Sequence, residues 1–272
     1  MAIPLQEHIV YGPVRSRRLG RSLGINVLPL GMKVCNMNCA YCQYGWTRGG
    51  RTGARPSAWP TPAQIGSAVA ARLRRAERDD ESLDRLTVAG HGEPTLHPDF
   101  EDIVGRLVDV RDRFAPKLRL AILSNSTTAA WPSVRRALSA FDERYMKLDA
   151  GDPITYAQIN GLGTSIGAIV DALRDLPKVV VQAMFVRDGK GLVDNTTEGA
   201  VHEWLGAIDA IQPSQVHIYT IDRPPALDGL RPAPVRRLRE IAERVRLREI
   251  PVEVFAPKAG EQPPRRRRAA PH

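Results

Sequence analysis

The sequence has few cysteines and no long apolar run. Its 272 residues include only three cysteines, all within eight positions. An odd cluster of this kind does not form a disulfide scaffold and indicates metal or redox chemistry in a reducing compartment. No segment approaches the ~18 consecutive apolar residues that a membrane-spanning helix needs. The N-terminus lacks a basic region followed by an apolar stretch, so we expect no signal peptide, no membrane partner and a cytoplasmic protein.

Lysine is also scarce. Only six of the 39 basic residues are lysine, against 30 acidic residues, so the net charge of +9 comes from arginine. The excess reflects either a general compositional preference or an anionic partner such as nucleic acid or a phosphorylated substrate. Part of it lies in the run of arginines at residues 265–268. Residues 258–272 are rich in proline, alanine and arginine without periodicity, which predicts a disordered basic tail.

Short apolar segments alternate with amphipathic ones along the chain. The apolar segments predict strands at residues 22–34, 83–89, 118–123, 145–148, 179–186, 216–221 and 251–255. The amphipathic segments predict helices at residues 62–78, 99–114, 132–138, 165–176, 200–211 and 235–247, with Thr61 as the first N-cap. About six strand–helix units imply parallel strands with right-handed crossovers. We predict an α/β fold, a partial (β/α)6 TIM-like barrel with outer helices; an open doubly wound sheet is the alternative.

The three cysteines have the spacing Cys35-x3-Cys39-x2-Cys42. Their thiolates can converge on one small object only if the loop wraps around it. An iron–sulfur cubane normally takes four cysteines, and the chain has no fourth, so one iron would keep an open coordination site. Zinc sites prefer paired cysteines or regularly spaced histidines, and His91 and His97 are not so placed.

With Tyr41 just before the third cysteine, this motif resembles the signature of the radical S-adenosylmethionine (SAM) superfamily. The resemblance implies one radical SAM domain over residues 1–257, with Cys35, Cys39 and Cys42 holding a [4Fe–4S] cluster. SAM's amino and carboxylate groups would chelate the fourth iron. An external one-electron donor, flavodoxin- or ferredoxin-like, would then drive cleavage of a carbon–sulfur bond of SAM. The 5′-deoxyadenosyl radical normally formed would abstract hydrogen from the substrate.

Polar residues follow the next strands at their carboxyl ends, where barrel enzymes carry their chemistry. Gly92-Glu93-Pro94 resembles the Gly-Gly-Glu element of the superfamily, which implies that this segment receives SAM's ammonium group through a charge-assisted contact. The resemblance also implies SAM contacts for Ser124, Asn125 and Asp149, and places Tyr41 in the same cofactor-binding set. His91 is expected to be a structural histidine whose ring nitrogens are hydrogen-bonded within the protein, although a role as substrate contact or proton donor stays open.

Other polar residues could face the barrel interior. Lys147 alternates with Asp149, so both could point the same way and form an ion pair. Gln182 is the only polar residue in an apolar strand, and a polar side chain there must be satisfied by a ligand or a neighbour. Four arginines before the first predicted strand could clamp a phosphate or carboxylate or form a solvated arm: Arg15, Arg17, Arg18 and Arg21.

Three further segments narrow the resemblance: residues 12–24, 92–97 and 221–225. They resemble radical SAM enzymes related to the wybutosine-type tRNA-modifying (4-demethylwyosine) synthases. Those synthases carry extra cysteines for a second cluster that engages pyruvate, and this chain has none. We therefore predict a radical SAM enzyme with an unidentified substrate, for which RNA is one candidate class. A tRNA-base-modifying enzyme is one alternative, and a non-catalytic iron–sulfur or zinc-binding protein is another.

Overall fold

A computed structural model of the protein describes residues 3–16, 18–47, 59–161 and 165–256. Its strands are β1 (Val10–Ser16), β2 (Gly20–Ile25), β3 (Arg85–Val88), β4 (Arg119–Ser124), β5 (Glu143–Lys147), β6 (Val179–Met184), β7 (Val186–Arg187), β8 (Gln215–Tyr219), β9 (Arg231–Pro232) and β10 (Val252–Phe255). Its helices are α1 (Pro62–Arg78), α2 (Phe100–Phe114), α3 (Pro132–Ser139), α4 (Pro153–Asn160), α5 (Ile166–Arg174), α6 (Glu198–Ile211) and α7 (Val235–Arg246), with a 3-10 turn at Pro94–Leu96. The predicted tail lies outside these residues, as does Arg17.

Eight strands form one sheet in the order β1-β2-β3-β4-β5-β6-β8-β10. The β1–β2 pair is antiparallel, and every later pair is parallel. Each crossover moves the chain one strand further in the same direction, and right-handed crossovers then keep the helices on one face. The sheet curls into a half-barrel, which confirms the predicted partial barrel. A doubly wound sheet would reverse its order at a switch point, so that alternative does not describe this fold.

The main core fills the space between the sheet and its helices. Alternate strand residues such as Leu86, Ile122 and Ile218 are fully buried there, because successive side chains of a strand point to opposite faces. Helix α1 begins as predicted: Thr61 caps it, and Gln64 completes a capping box. Within the described ranges, none of the helices combines the length and the apolar character needed to cross a membrane.

The structure corrects the prediction in three places. The strand predicted at residues 22–34 ends at Ile25, because the Asn26 side chain hydrogen-bonds to the amide and carbonyl of Leu28 and turns the chain. Residues 10–25 form an antiparallel hairpin in which Arg15 pairs with Arg21, so these arginines do not precede the first strand. Strand β1 was missed because it is largely exposed and contains Gly12-Pro13 instead of an apolar alternation. Helix α4 was missed because its eight residues carry no single apolar stripe; Asp152 caps it.

A candidate cluster and cofactor site at the strand ends

Residues 34–42 carry the three cysteines and form what we call the cysteine loop. This loop lies across the carboxyl ends of the strands and is held by three distant segments. The amide of Asn38 donates to the carbonyl of Asn160 over 2.9 Å, and the amide of Leu227 donates to the carbonyl of Ala40 over 2.8 Å. The amide of Glu93 donates to the carbonyl of Val34, directly before Cys35, over 2.8 Å. The loop is therefore positioned by α4, by the segment after β8 and by the Gly-Glu-Pro element.

Each cysteine sulfur faces a nitrogen donor from a different part of the chain. The Nδ2 atom of Asn125 lies 3.8 Å from the sulfur of Cys35, and that of Asn160 lies 3.4 Å from the sulfur of Cys39. The ammonium of Lys33 lies 3.2 Å from the sulfur of Cys42. Hydrogen bonds to sulfur stabilise thiolates and help to set the potential of iron–sulfur clusters. This donor set fits a group with three anionic sulfur ligands.

Burial opposes ionisation of the cysteine thiols. It raises the pKa of Cys35 to about 12 and also raises the pKa of Cys39. Thiolate ligands must therefore lose their protons as metal binds. Among the described residues, no three His, Cys, Asp or Glu side chains are grouped closely enough to hold one metal ion.

Glu93 joins the ends of β3 and β4. Its carboxylate is buried, and its Oε1 atom accepts hydrogen bonds from the amide and hydroxyl of Thr95 and from the hydroxyl of Ser124 at 2.9 Å. Its Oε2 atom accepts from the amide of Asn125 at 2.5 Å. Burial raises the pKa of Glu93, while these hydrogen bonds oppose the shift. The structure thus brings together three residues that the sequence singled out, and their contacts with SAM stay predictions.

The neighbours of Glu93 clamp the cysteine loop. Gly92 packs so tightly that a Cβ atom there would overlap the carbonyl of Val34. Pro94 is buried and begins the 3-10 turn. His91 is fully buried; its Nε2 donates to the carbonyl of Pro29 at 2.9 Å while its Nδ1 accepts from the amide of Gln6 at 3.0 Å. Burial lowers the pKa of His91, and both ring nitrogens are engaged, as expected for a structural histidine.

Asp149 ties the cysteine loop to the sheet. Its buried carboxylate accepts hydrogen bonds from the hydroxyl of Tyr41, from Nδ2 of Asn160 at 2.7 Å and from the amide of Met184 at 2.8 Å. Burial and the nearby Asp149 raise the pKa of Tyr41, so the phenol stays a donor. The predicted pairing of Lys147 with Asp149 is present as a 3.7 Å contact.

Sequence reasoning missed Asn160, whose amide nitrogen lies within hydrogen-bonding distance of Cys39, Tyr41 and Asp149. The residue ends α4, a helix that the periodicity did not predict. Asn160 is 121 positions from Cys39 along the chain. Only an independent sign of α4, such as the Asp152-Pro153 cap, could have drawn attention to it.

Comparisons with known proteins identify the family to which the chain belongs. The family model of the radical SAM superfamily matches residues 31–187. The UPF0026 protein slr1464 of Synechocystis is 32% identical over 227 residues, covering 80% of this chain and 77% of that protein. The UPF0026 protein MJ1312 of Methanocaldococcus jannaschii is 29% identical over 243 residues, covering 86% of this chain and 70% of that protein.

Solved structures share the fold at low sequence identity. A radical SAM methyltransferase from Sphaerobacter thermophilus superposes with a TM-score of 0.63 at 17% identity, covering 88% of this chain and 67% of that chain. Archaeal TYW1 superposes with a TM-score of 0.51 at 12% identity, covering 83% of this chain and 71% of that chain. The family match spans more than half of the chain and includes the cysteine motif. This protein therefore belongs to the radical SAM superfamily of enzymes, among the UPF0026 proteins.

Proposed function

We propose that this enzyme holds one [4Fe–4S] cluster through Cys35, Cys39 and Cys42 and cleaves SAM reductively with an electron from an external donor. When bound, the cluster and SAM supply a 5′-deoxyadenosyl radical that abstracts hydrogen from a substrate. The observation that carries this proposal is the set of three separate nitrogen donors facing the three cysteine sulfurs. A loop of structural cysteines would have no need of such donors.

The strand ends beside the loop supply a place for the methionine part of SAM. The Oε2 atom of Glu93 accepts one hydrogen bond, from the amide of Asn125, whereas Oε1 accepts three, so Oε2 is the less occupied oxygen. It is our candidate acceptor for SAM's ammonium, with backbone groups at Gly92 and Pro94 beside it. Ser124 and Asn125 hold the carboxylate in place. Asp149 and Tyr41 contribute indirectly, because the hydrogen bond between them holds the cysteine loop against the end of β5.

Anaerobic reconstitution followed by product analysis tests this function. We expect about four irons and four sulfides per chain, the content of one cubane cluster, and an absorption band that bleaches on reduction. With SAM and dithionite the protein should form 5′-deoxyadenosine and methionine. One zinc ion per chain in protein prepared anaerobically with abundant iron would contradict the proposal, as would an intact cluster that leaves SAM uncleaved.

Replacing Glu93 with glutamine should weaken SAM binding while the cluster is kept. The amide removes the negative charge and places an NH2 group among four protein donors. Loss of one charge-assisted hydrogen bond should reduce SAM affinity about tenfold or more, measured by calorimetry on reconstituted protein. Glu101→Gln, which changes an exposed carboxylate paired with Arg136, is the matched control. Unchanged SAM affinity in Glu93→Gln would remove Glu93 from the SAM site.

The arrangement of arginines in the described ranges favours a small molecule as the substrate and argues against a nucleic acid. Several surface arginines are paired with acidic residues, as Arg136 is with Glu101, Arg248 with Asp209 and Arg244 with Glu198. Interleaved charge of this kind favours solubility and does not form a continuous basic stripe. The structural likeness to TYW1 keeps tRNA modification as a second candidate. It ranks second because the likeness is one of fold and does not extend to a basic surface.

A further inference from the structure

A row of polar side chains crosses the concave face of the half-barrel. Lys147, Gln182 and His217 occupy the same level of β5, β6 and β8, because Lys147 pairs with Gln182 and Gln182 pairs with His217 in the parallel register. Residues at one level of a sheet point to the same side. Their neighbours in sequence, such as Val181 and Val216, are buried in the core on the convex side. The three polar residues therefore project into the interior of the half-barrel.

Two cations meet at one aromatic ring beside this row. The ammonium of Lys147 lies 3.1 Å from the hydroxyl of Tyr219, and the guanidinium carbon of Arg18 lies 4.7 Å from the centre of the same ring. Arg18 comes from the turn between β1 and β2, so it reaches the interior from the end of the hairpin. Within the described ranges, no carboxylate forms an ion pair with Arg18.

The acidic groups near these cations are already engaged. Asp149 receives three protein hydrogen bonds, and its contact with Lys147 at 3.7 Å exceeds hydrogen-bond length. Glu143 accepts from Arg85 and Arg119, each at 3.0 Å, and Glu253 accepts from Gln215 at 2.7 Å. Asp149 is the carboxylate beside Lys147, and Arg18 forms no ion pair within the described ranges, so a positive charge is left over at the concave face.

The row also offers nitrogen atoms that the protein does not use. Gln182 is 5% exposed and His217 is 3% exposed. The described atoms give no hydrogen-bond partner to Nε2 of Gln182 or to Nδ1 of His217. Burial lowers the pKa of His217 to about 4, so the imidazole is neutral near pH 7. Buried polar groups are nearly always hydrogen-bonded, and the unused amide donor of Gln182 beside an excess positive charge indicates an anionic acceptor.

We propose that Arg18, Lys147 and Gln182 form a subsite for an anionic oxygen group of the substrate, a carboxylate or a phosphate. The inference rests on the proposed function, because the subsite adjoins the cysteine loop. The ammonium of Lys147 lies 4.8 Å from the ring centre of Tyr41, which directly precedes Cys42. An anion held there directs the rest of the substrate towards the edge of the sheet where SAM would be cleaved.

Calorimetry on the anaerobically reconstituted protein tests the subsite. The probes are succinate, inorganic phosphate and the neutral analogue succinamide. We expect saturable binding of succinate, phosphate or both at one site per chain, and no binding of succinamide. Arg18→Gln and Lys147→Gln should each weaken this binding about tenfold or more, because each removes a charge-assisted hydrogen bond. The matched control is Arg119→Gln, which alters an exposed arginine paired with Glu143 and should leave anion binding unchanged.

Absence of saturable anion binding, or equal binding by wild type and Arg18→Gln, would overturn the subsite. Arg18 lies in a turn, so its replacement tests the subsite even if Lys147→Gln fails to fold. Formation of 5′-deoxyadenosine is measured on the same wild-type sample. Product without anion binding would refute the subsite alone, whereas anion binding without product would refute the proposed function.

Discussion

Replacing Cys35, Cys39 or Cys42 with alanine should remove the bound iron and sulfide and reduce formation of 5′-deoxyadenosine to background. The chain has no fourth cysteine that could take over a lost ligand position. A cubane normally takes four thiolates, and each substitution would leave this one with two of the three that the chain supplies. Iron and sulfide content, the visible spectrum and product formation in each single variant check this expectation.

Lys33→Gln is the matched control, because it alters the surroundings of the cluster and keeps all three ligands. Lys33 places its ammonium 3.2 Å from the sulfur of Cys42. Loss of that positive charge should make reduction of the cluster harder, so we expect full iron content and a more negative reduction potential. Wild-type iron content in the Cys39→Ala variant would show that Cys39 is not a ligand and would contradict the proposed set of three.

Local patterns were enough to predict the alternation of strands and helices and the position of the cysteines. Helix α1 has the predicted bounds because Thr61, Pro62 and Gln64 mark its start chemically. Most strands lie within a few residues of their predicted positions because each apolar segment is short and bounded by polar residues; the strand predicted at residues 22–34 is the exception and ends at Ile25. The cysteine spacing identified the superfamily, which the family match confirms.

Contacts between distant residues could not be read from local patterns. Tyr41 and Asp149 are 108 positions apart, and nothing in either segment shows that the phenol donates to that carboxylate. Similarly, the pattern around Glu93 indicated a ligand contact, but it could not show the hydrogen bonds from Ser124 and Asn125. The hairpin that carries Arg18 to Tyr219 depends on tertiary packing, because its first strand has no apolar alternation.

Replacing Gly92 with alanine should reduce cluster content while the fold is retained. An alanine Cβ would overlap the carbonyl of Val34, a backbone atom that cannot turn aside as a flexible side chain would. The same carbonyl accepts the amide of Glu93 at 2.8 Å, so relief of the clash also breaks this hydrogen bond. Overpacking typically costs about 1–3 kcal/mol, and here the displaced segment leads directly into Cys35.

The overlap at Gly92 should displace the cysteine loop and leave the sheet intact, because Gly92 and Val34 both lie outside the strands. We therefore expect native circular dichroism together with lower iron content and slower SAM cleavage. Gly105→Ala is the control: a Cβ there meets no atom within 4 Å, and glycine to alanine inside a helix should stabilise by about 0.5–1 kcal/mol. Wild-type iron content in Gly92→Ala would mean that the cysteine loop does not depend on this clamp. Loss of iron in both variants would point to a general effect of the added methyl group.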